Sequence, residues 1–587
     1  MKVDCPHAAA CGGCALIEHS LDEQLRMKAQ RLAHAIEGYT ALMPIPRMAV
    51  VAATPISGYR TRTKLMVDSL GAIGLFARDS HTVIDIPNCR VMPTLMNSTV
   101  QALRPLLKGS GIEAIDVRET QDGDQHGLLV TLIAGASSVE RARAIAEDVA
   151  KLPQVRSVAV SARDRGAVQL LGRDLSVVHG PRHVLDRMHP DAPFVHASHG
   201  AFVQAHRQQA HALQSHVIAL LGGALGDLSQ KRIVELHCGE GALGLRLAKL
   251  GAAMLLVDSF EPAIQRVREA AAAQELSLEA WAHDATEAAT RLVDDRQAVD
   301  AVLLDPPRRG VPPLLRRSLA ALAPRAIVYV SCGPESFARD LSHFAFLGYA
   351  PKQITPFDLI PLSEEVESVA LLTPTPPPKL TILYEDAQVA VIDKPPHLPT
   401  TPQGEHVTSL LSIARAQLNA PALTAVHRLD AGTSGVCILA KQTEYVHAWS
   451  LALAAGEKRY RALVRGIIRD KGSVKRGLKD GGRVLDARTR YVRNEVVGGH
   501  SLVTAMPDEG RTHQIRRHLE SLNHPVLGDS RYGDPKSNRY LEHKYGLDRT
   551  FLHCATITLI APTTGTAVTF EAPLAADLSA VLASMRA

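Results

Sequence analysis

The sequence predicts a multidomain protein with an α+β N-terminal region, a Rossmann-like α/β domain on a parallel sheet, and a mixed, largely antiparallel α+β C-terminal domain. Three observations support this. At 587 residues the chain exceeds the size at which one core keeps growing, so about three to four domains are expected. From about residue 200, short apolar runs alternate with helical patterns, as in a doubly wound sheet. The run Thr373-Pro374-Thr375-Pro376-Pro377-Pro378 then breaks the chain, because proline has no N–H and favours an extended, semi-rigid backbone.

The elements follow in order. Residues 1–95 hold a cysteine cluster, a charged helical stretch at 21–36 and strand-like segments from 63–67 up to Cys89. Residues 96–195 form an α+β insert with strands at 127–133 and 155–160. Residues 196–372 carry the alternating pattern. Its strand 232–236 leads into the glycine turn 238–244 and a helix, and further strands follow at 254–257, 299–304 and 326–330. Residues 373–379 are the linker. In 380–587, the segments 380–384, 389–392, 435–440, 459–464 and 556–560 read as strands with few long helices between them.

Lys and Arg number 65 against 60 Asp and Glu, a net charge of +5. This permits a nucleic-acid partner but does not make one that binds by charge alone. No apolar run approaches the ~18 residues of a membrane span and no leader pattern opens the chain, so a soluble cytoplasmic protein is expected. Eight cysteines are too few and too uneven for a disulfide framework. Cys5, Cys11 and Cys14 fall within ten residues and, with Cys89, offer four soft ligands. Either tetrahedral zinc or a 4Fe-4S cluster fits their spacing.

A glycine turn after an apolar strand lets backbone approach a nucleotide-like ligand, and an acid ending the next strand, here Asp258, suits ribose hydroxyls. Taken alone, such a turn can be only a turn. Asp305-Pro306-Pro307-Arg308 and Ser331-Cys332-Gly333-Pro334 each follow a predicted strand, which directs Asp305 and Cys332 toward one crevice. A buried core cysteine is the competing reading for Cys332, and a solvated surface acid for Glu367.

With these segments in view, residues 1–372 resemble the RNA 5-methyluridine methyltransferases of the RlmC- and TrmA-like family. The likeness rests on Cys5, Cys11, Cys14 and Cys89 with Pro93; on Tyr59-Arg60-Thr61-Arg62; on Phe202 and Gln204; on the Asp305 loop; on 328–332; and on 358–367. The resemblance implies S-adenosylmethionine as methyl donor, held by Gln204, His237, Gly239, Gly241, Asp258, Asp284 and Asp305. It also implies a 4Fe-4S cluster on the four cysteines, with zinc as the alternative. Cys332 would add to carbon 6 of uracil and Glu367 would remove the carbon 5 proton. A free thiol is only a few per cent ionised at neutral pH, so local activation is required. This chain departs from the family pattern at His206, His237, Asp258, Gly333 and Glu365, where the family has asparagine, an aromatic residue, glutamate, asparagine and histidine.

Residues 380–587 resemble the RluA-like pseudouridine synthases. The segments concerned are His427-Arg428-Leu429-Asp430-Ala431-Gly432-Thr433-Ser434-Gly435, Lys458-Arg459-Tyr460, 510–516, 524–529 and Tyr532-Gly533. The resemblance makes Asp430 the essential aspartate, attacking the sugar or assisting proton removal. It sets Tyr460 against the base, pairs Arg516 with Asp430 to keep it ionised, and has Arg428 fill the gap left by a flipped nucleotide. A structural ion pair and core packing are the alternatives.

Together the two likenesses imply one chain that methylates and isomerises uridines in RNA, at neighbouring positions of 23S rRNA, although RluA-like relatives also accept tRNA. No obligate protein partner is evident. The competing readings are a pseudouridine synthase delivered by a non-catalytic methyltransferase-like module, and a zinc-dependent RNA-binding scaffold.

Overall fold

The computed structural model describes all residues except 1, 38, 43–47, 79, 164–169, 173, 403–407, 481–482 and 587. Three large sheets and two two-stranded ribbons organise it.

The first sheet runs in the order Val83–Asp85, Ile73–Phe76, Arg62–Val67, Ile112–Asp122, Gln125–Gly135, Val155–Arg163, Asp174–His179. Helices Thr94–Leu107 and Val139–Val149 lay Val100, Leu103, Ala142 and Ala146 on its apolar face, against Leu65, Ile115, Val130 and Leu132. Strand Arg62–Val67 pairs with Ile112–Asp122, setting Leu65 opposite Ile115. The expected division at residue 95 is therefore corrected: it cuts through a single sheet, because long-range pairing joins strands that lie far apart in the chain. A ribbon, His183–Arg187 with Phe194–Ser198, links this sheet to the next unit.

The second sheet has the order Leu278–Ala282, Ala253–Asp258, Arg232–Leu236, Ala301–Leu304, Ala326–Ser331, Glu367–Pro374, Tyr349–Phe357. Its first five strands are parallel and read as continuous apolar runs because both faces are covered. Val234, Leu236, Val302 and Leu304 pack to one side, and Ile233, Leu303, Val328 and Val330 to the other. The Rossmann-like expectation is met with one addition. Glu367–Pro374 enters antiparallel, with Ser368 opposite Ser331. That strand absorbs the start of the expected 373–379 linker, since Pro374 pairs with Tyr349 at the strand end, where a missing donor costs little.

The third sheet is ten-stranded and largely antiparallel, with Ser434–Ala440 and Leu552–Ile560 as its parallel contact. Gly435, at φ +105°, sits where a Cβ would stand 2.1 Å from the Cys554 carbonyl oxygen, so the two strands meet only because it is glycine.

Buried charge joins the second and third units. Arg316 donates to Asp340 at 2.7 Å and to Asp548 at 2.9 Å, and Arg339 and His397 each lie 3.3 Å from Asp548. Arg339 also donates to the Gly546 carbonyl at 3.0 Å. Among the described residues, no helix is long and apolar enough to cross a membrane.

Candidate active sites

The antiparallel strand brings the first site together. Cys332 follows the C-terminal end of Ala326–Ser331, and Glu367 opens the strand hydrogen-bonded beside it, so residues far apart in sequence become neighbours. Asp305 leaves the next strand, Ala301–Leu304, at the same edge. All three line one cavity of about 1200 Å³, together with Gln204, His237, Gly239 and the four cysteines Cys5, Cys11, Cys14 and Cys89. Cys332 is thus half-buried against open space, not sealed in hydrocarbon.

The wall of this cavity is acidic. Burial, Asp305 and Asp258 push the Glu235 carboxyl up to about 8, with Gly244 hydrogen-bonded to it from the backbone. Asp305 is open to the cavity yet enclosed by protein, and that desolvation raises it to about 7. Burial, Asp305 and Glu365 hold Glu367 well above the carboxylate range. Burial and the Glu367 charge push the Cys332 thiol up to about 12, and Arg308 is the group that draws it down. Arg308 touches Cys332 and pairs with Glu365 at 2.8 Å.

The glycine turn has the form a nucleotide-like ligand needs. Gly239 N–H donates to Asp258 at 3.1 Å, which fixes the turn to the neighbouring strand. At Gly241, φ is +75° and a Cβ would lie 2.9 Å from Val267, so no other residue fits. His237 turns through φ +61° and leaves its buried Nε2 without a partner. Asp258 and Asp284 group around His237 but stand back from the cavity wall, as does Gly241. Asp284 caps the helix Ala285–Asp294 by accepting from Thr286 and Glu287. The four cysteines are half-buried at the far corner of the same cavity. Burial and the neighbouring Cys89 and Cys11 thiols raise Cys14 to about 12.

Three departures from the family pattern have structural reasons. His206 caps helix Arg207–Leu225 as an asparagine would: its Nδ1 accepts from Gln209 at 3.2 Å while Nε2 donates to Pro55 at 2.9 Å. At Gly333 a Cβ would lie 2.7 Å from the Arg308 carbonyl oxygen, so the loop after Asp305 approaches more closely than a side chain allows. Glu365 holds Arg308.

The second site is built on the turn before Ser434–Ala440. Thr433 N–H donates to the Asp430 carbonyl at 2.9 Å, and Thr400 exchanges hydrogen bonds with Leu429. The Asp430 side chain is left 39 % exposed while Arg516 donates to it at 2.7 Å. Arg516 in turn holds Asp529 through two bonds of 2.6 and 2.8 Å. Burial alone would raise Asp529, but the bonds and charge of Arg516 keep it low. His513 Nε2 stands 3.6 Å from Asp430, and its Nδ1 is 3.1 Å from the Tyr532 hydroxyl. Tyr460 reaches toward Cys554, and burial pushes its phenol well above the usual range. Arg428 is exposed beside them.

Sequence reasoning missed Lys394. It is fully buried and donates to the carbonyls of Leu398 at 2.6 Å, Pro395 at 3.0 Å and Ala431 at 3.3 Å, tying down the turn that bears Asp430. Burial lowers it to about 7. Arg549 was missed as well; it donates to Gly432 at 2.7 Å and Ser434 at 3.1 Å from behind.

Comparison with known proteins matches both halves. The sequence model of the RNA pseudouridylate synthase family matches residues 388–521, and that of Conserved hypothetical protein 95 matches residues 214–343. An uncharacterized RNA methyltransferase of Geobacter sulfurreducens is 30% identical over 390 residues, covering 63% of this chain and 76% of that protein. One from Oceanobacillus iheyensis is 25% identical over 379 residues, covering 62% and 81%. The solved tRNA (uracil-54, C5)-methyltransferase of Pyrococcus abyssi, in complex with S-adenosyl-L-homocysteine, shares the fold: 24% identity, TM-score 0.51, 62% of this chain and 86% of that one. The chain belongs to the RNA methyltransferase family and continues into an RNA pseudouridylate synthase domain, a fusion of two RNA-modifying enzymes.

Proposed function

We propose that the first part of the chain methylates carbon 5 of uridine with S-adenosylmethionine, and that the last part converts uridine to pseudouridine. The convergence of Cys332, Glu367 and Asp305 on one cavity that also takes in the glycine turn carries the first reading. The donor fits the residues present. A sulfonium cation would be welcome among Glu235, Asp305 and Glu367, all raised by burial, with Asp305 adding to the rise of the other two. When bound, it supplies an electrophilic methyl group.

The residues then divide the work. The Cys332 thiolate adds to carbon 6 and pushes electron density to carbon 5, which takes the methyl group. Glu367 removes the proton left on carbon 5, and the thiolate departs. Burial raises both groups, and Arg308 together with an incoming cation would pull both down.

Cys5, Cys11, Cys14 and Cys89 would hold a 4Fe-4S cluster that shapes the RNA side of the cavity. No three of these sulfurs lie within 4.8 Å of one another. Thiolates about one zinc ion, at Zn–S of about 2.3 Å, would be roughly 3.8 Å apart. In the other half, Asp430 is the acid–base group, oriented by Arg516, with Tyr460 against the base. Arg428 would fill the stack where the nucleotide is extruded.

The proposed substrate is a pair of neighbouring uridines in 23S rRNA, in the cytoplasm, with both enzymes held in one body by the Arg316–Asp548 contact. Modification mapping of rRNA and tRNA from a deletion strain tests this. Both rRNA positions should lose their marks, and persistence of both would overturn the assignment.

A further inference from the structure

Outside both sites, His183, His196 and Glu269 bring three ligand atoms within 4.8 Å of one another. The two histidines come from opposite strands of the ribbon His183–Arg187 and Phe194–Ser198, and Glu269 from helix Glu261–Ala273. Their imidazoles stack at 4.3 Å between centroids and 17° between planes, which puts their nitrogen edges side by side. The His196 side chain is only 10 % exposed, and its Nδ1 points at Glu269 Oε2 from 3.7 Å. At that distance no hydrogen bond forms, and Nδ1 is buried without a partner.

An unpaired buried imidazole nitrogen is costly unless something fills the gap. Bonds of about 2.0–2.2 Å from one zinc ion to nitrogen and oxygen span roughly 3–4 Å. We propose that His183, His196 and Glu269 form a divalent transition-metal site of the two-histidine, one-carboxylate type, suited to zinc, with a position left for water. Arg266, one turn before Glu269, adds a positive charge that Glu240 and Glu269 offset.

The metal would clamp the ribbon to the methyltransferase sheet layer. Phe194 and Gln274 already exchange two backbone–side-chain bonds of 3.0 Å at this joint. The ribbon and its loop contribute Asp186, Pro193 and Val195 to the cavity wall. Asp186 is further held by Arg118 at 3.1 Å and Arg207 at 2.8 Å. A clamp at His183 therefore fixes the wall that faces the methyl-donor side.

The test uses the full-length protein with its cysteine cluster intact, treated with a mild chelator and titrated with zinc chloride. One equivalent should bind with only nitrogen and oxygen neighbours in X-ray absorption, and should raise the melting temperature. That equivalent and that shift should both vanish in His183→Ala and in Glu269→Ala. The first of these replaces a half-exposed side chain, so it remains informative if His196→Ala fails to fold. Failure of the wild type to bind zinc, a sulfur-only shell, or binding unchanged in both variants would overturn the site. None of these readouts depends on methyl transfer, so the outcome stands apart from the proposed activity.

Discussion

Cys332 and Asp430 are each half-buried and open to space, yet opposite charges surround them. The thiol faces carboxyl groups, with Arg308 as its cationic neighbour, and is pushed up to about 12. The aspartate meets Arg516 at 2.7 Å, with that arginine braced from behind by Asp529. The second site is electrostatically assembled before substrate arrives. On the function proposed above, the first awaits a cation, and occupancy by the donor would ready Cys332.

The largest effects break the comparison outright. Cys332→Ala should cut methyl incorporation into RNA by about 10³-fold or more while pseudouridine formation continues, and Asp430→Asn should do the reverse. Labelled-donor incorporation and chemical mapping of pseudouridine on the same RNA read the two separately. Loss of both activities in either variant would show that the sites are not independent.

Arg516→Met comes next. It leaves fully buried Asp529 without its partner, which should cost about 3–5 kcal/mol in denaturant unfolding of the C-terminal part. Pseudouridine formation should fall with it, and methyl transfer serves as the internal control.

A third variant sharpens the acidic side. The Glu235 carboxyl is raised from 4.5 to about 8 by burial and by Asp305. Its contribution to stability is therefore full below pH 4.5 and is lost as pH rises through 8. The melting temperature of the donor-free protein should fall between pH 5 and 8, by up to roughly 4 kcal/mol in stability. Glu235→Gln should flatten that fall, and saturating donor should oppose it. The smallest change is expected for His206→Asn, which keeps an N-cap but gives up the bond to the Pro55 carbonyl, and should cost about 1–2 kcal/mol.

How much of this was legible in the sequence depended on how local each signal was. The parallel strands and the glycine turn were readable because continuous apolar runs and a left-handed Gly241 are local properties. The Cys332 and Asp430 segments were readable as motifs. The pairing of Glu367 with Cys332 was legible only through the family resemblance, because the antiparallel return of Glu367–Pro374 is a long-range event. The single sheet spanning residue 95 was hidden for the same reason. Lys394 lies just past the expected strand 389–392, and only tertiary folding turns its ammonium onto three carbonyls. Gly333 read only as a departure from the family pattern, and the structure shows that it admits the Arg308 loop.

Asp548 has a wider consequence. With Arg316, Arg339 and His397 converging on it in a buried setting, the prolines between the halves are not a leash, and nicking the backbone there would leave both pieces clasped. The spacing of the two proposed sites is then held by folded protein as by a gauge. An RNA served by both, as proposed, would bend to that gauge or be released and taken up again.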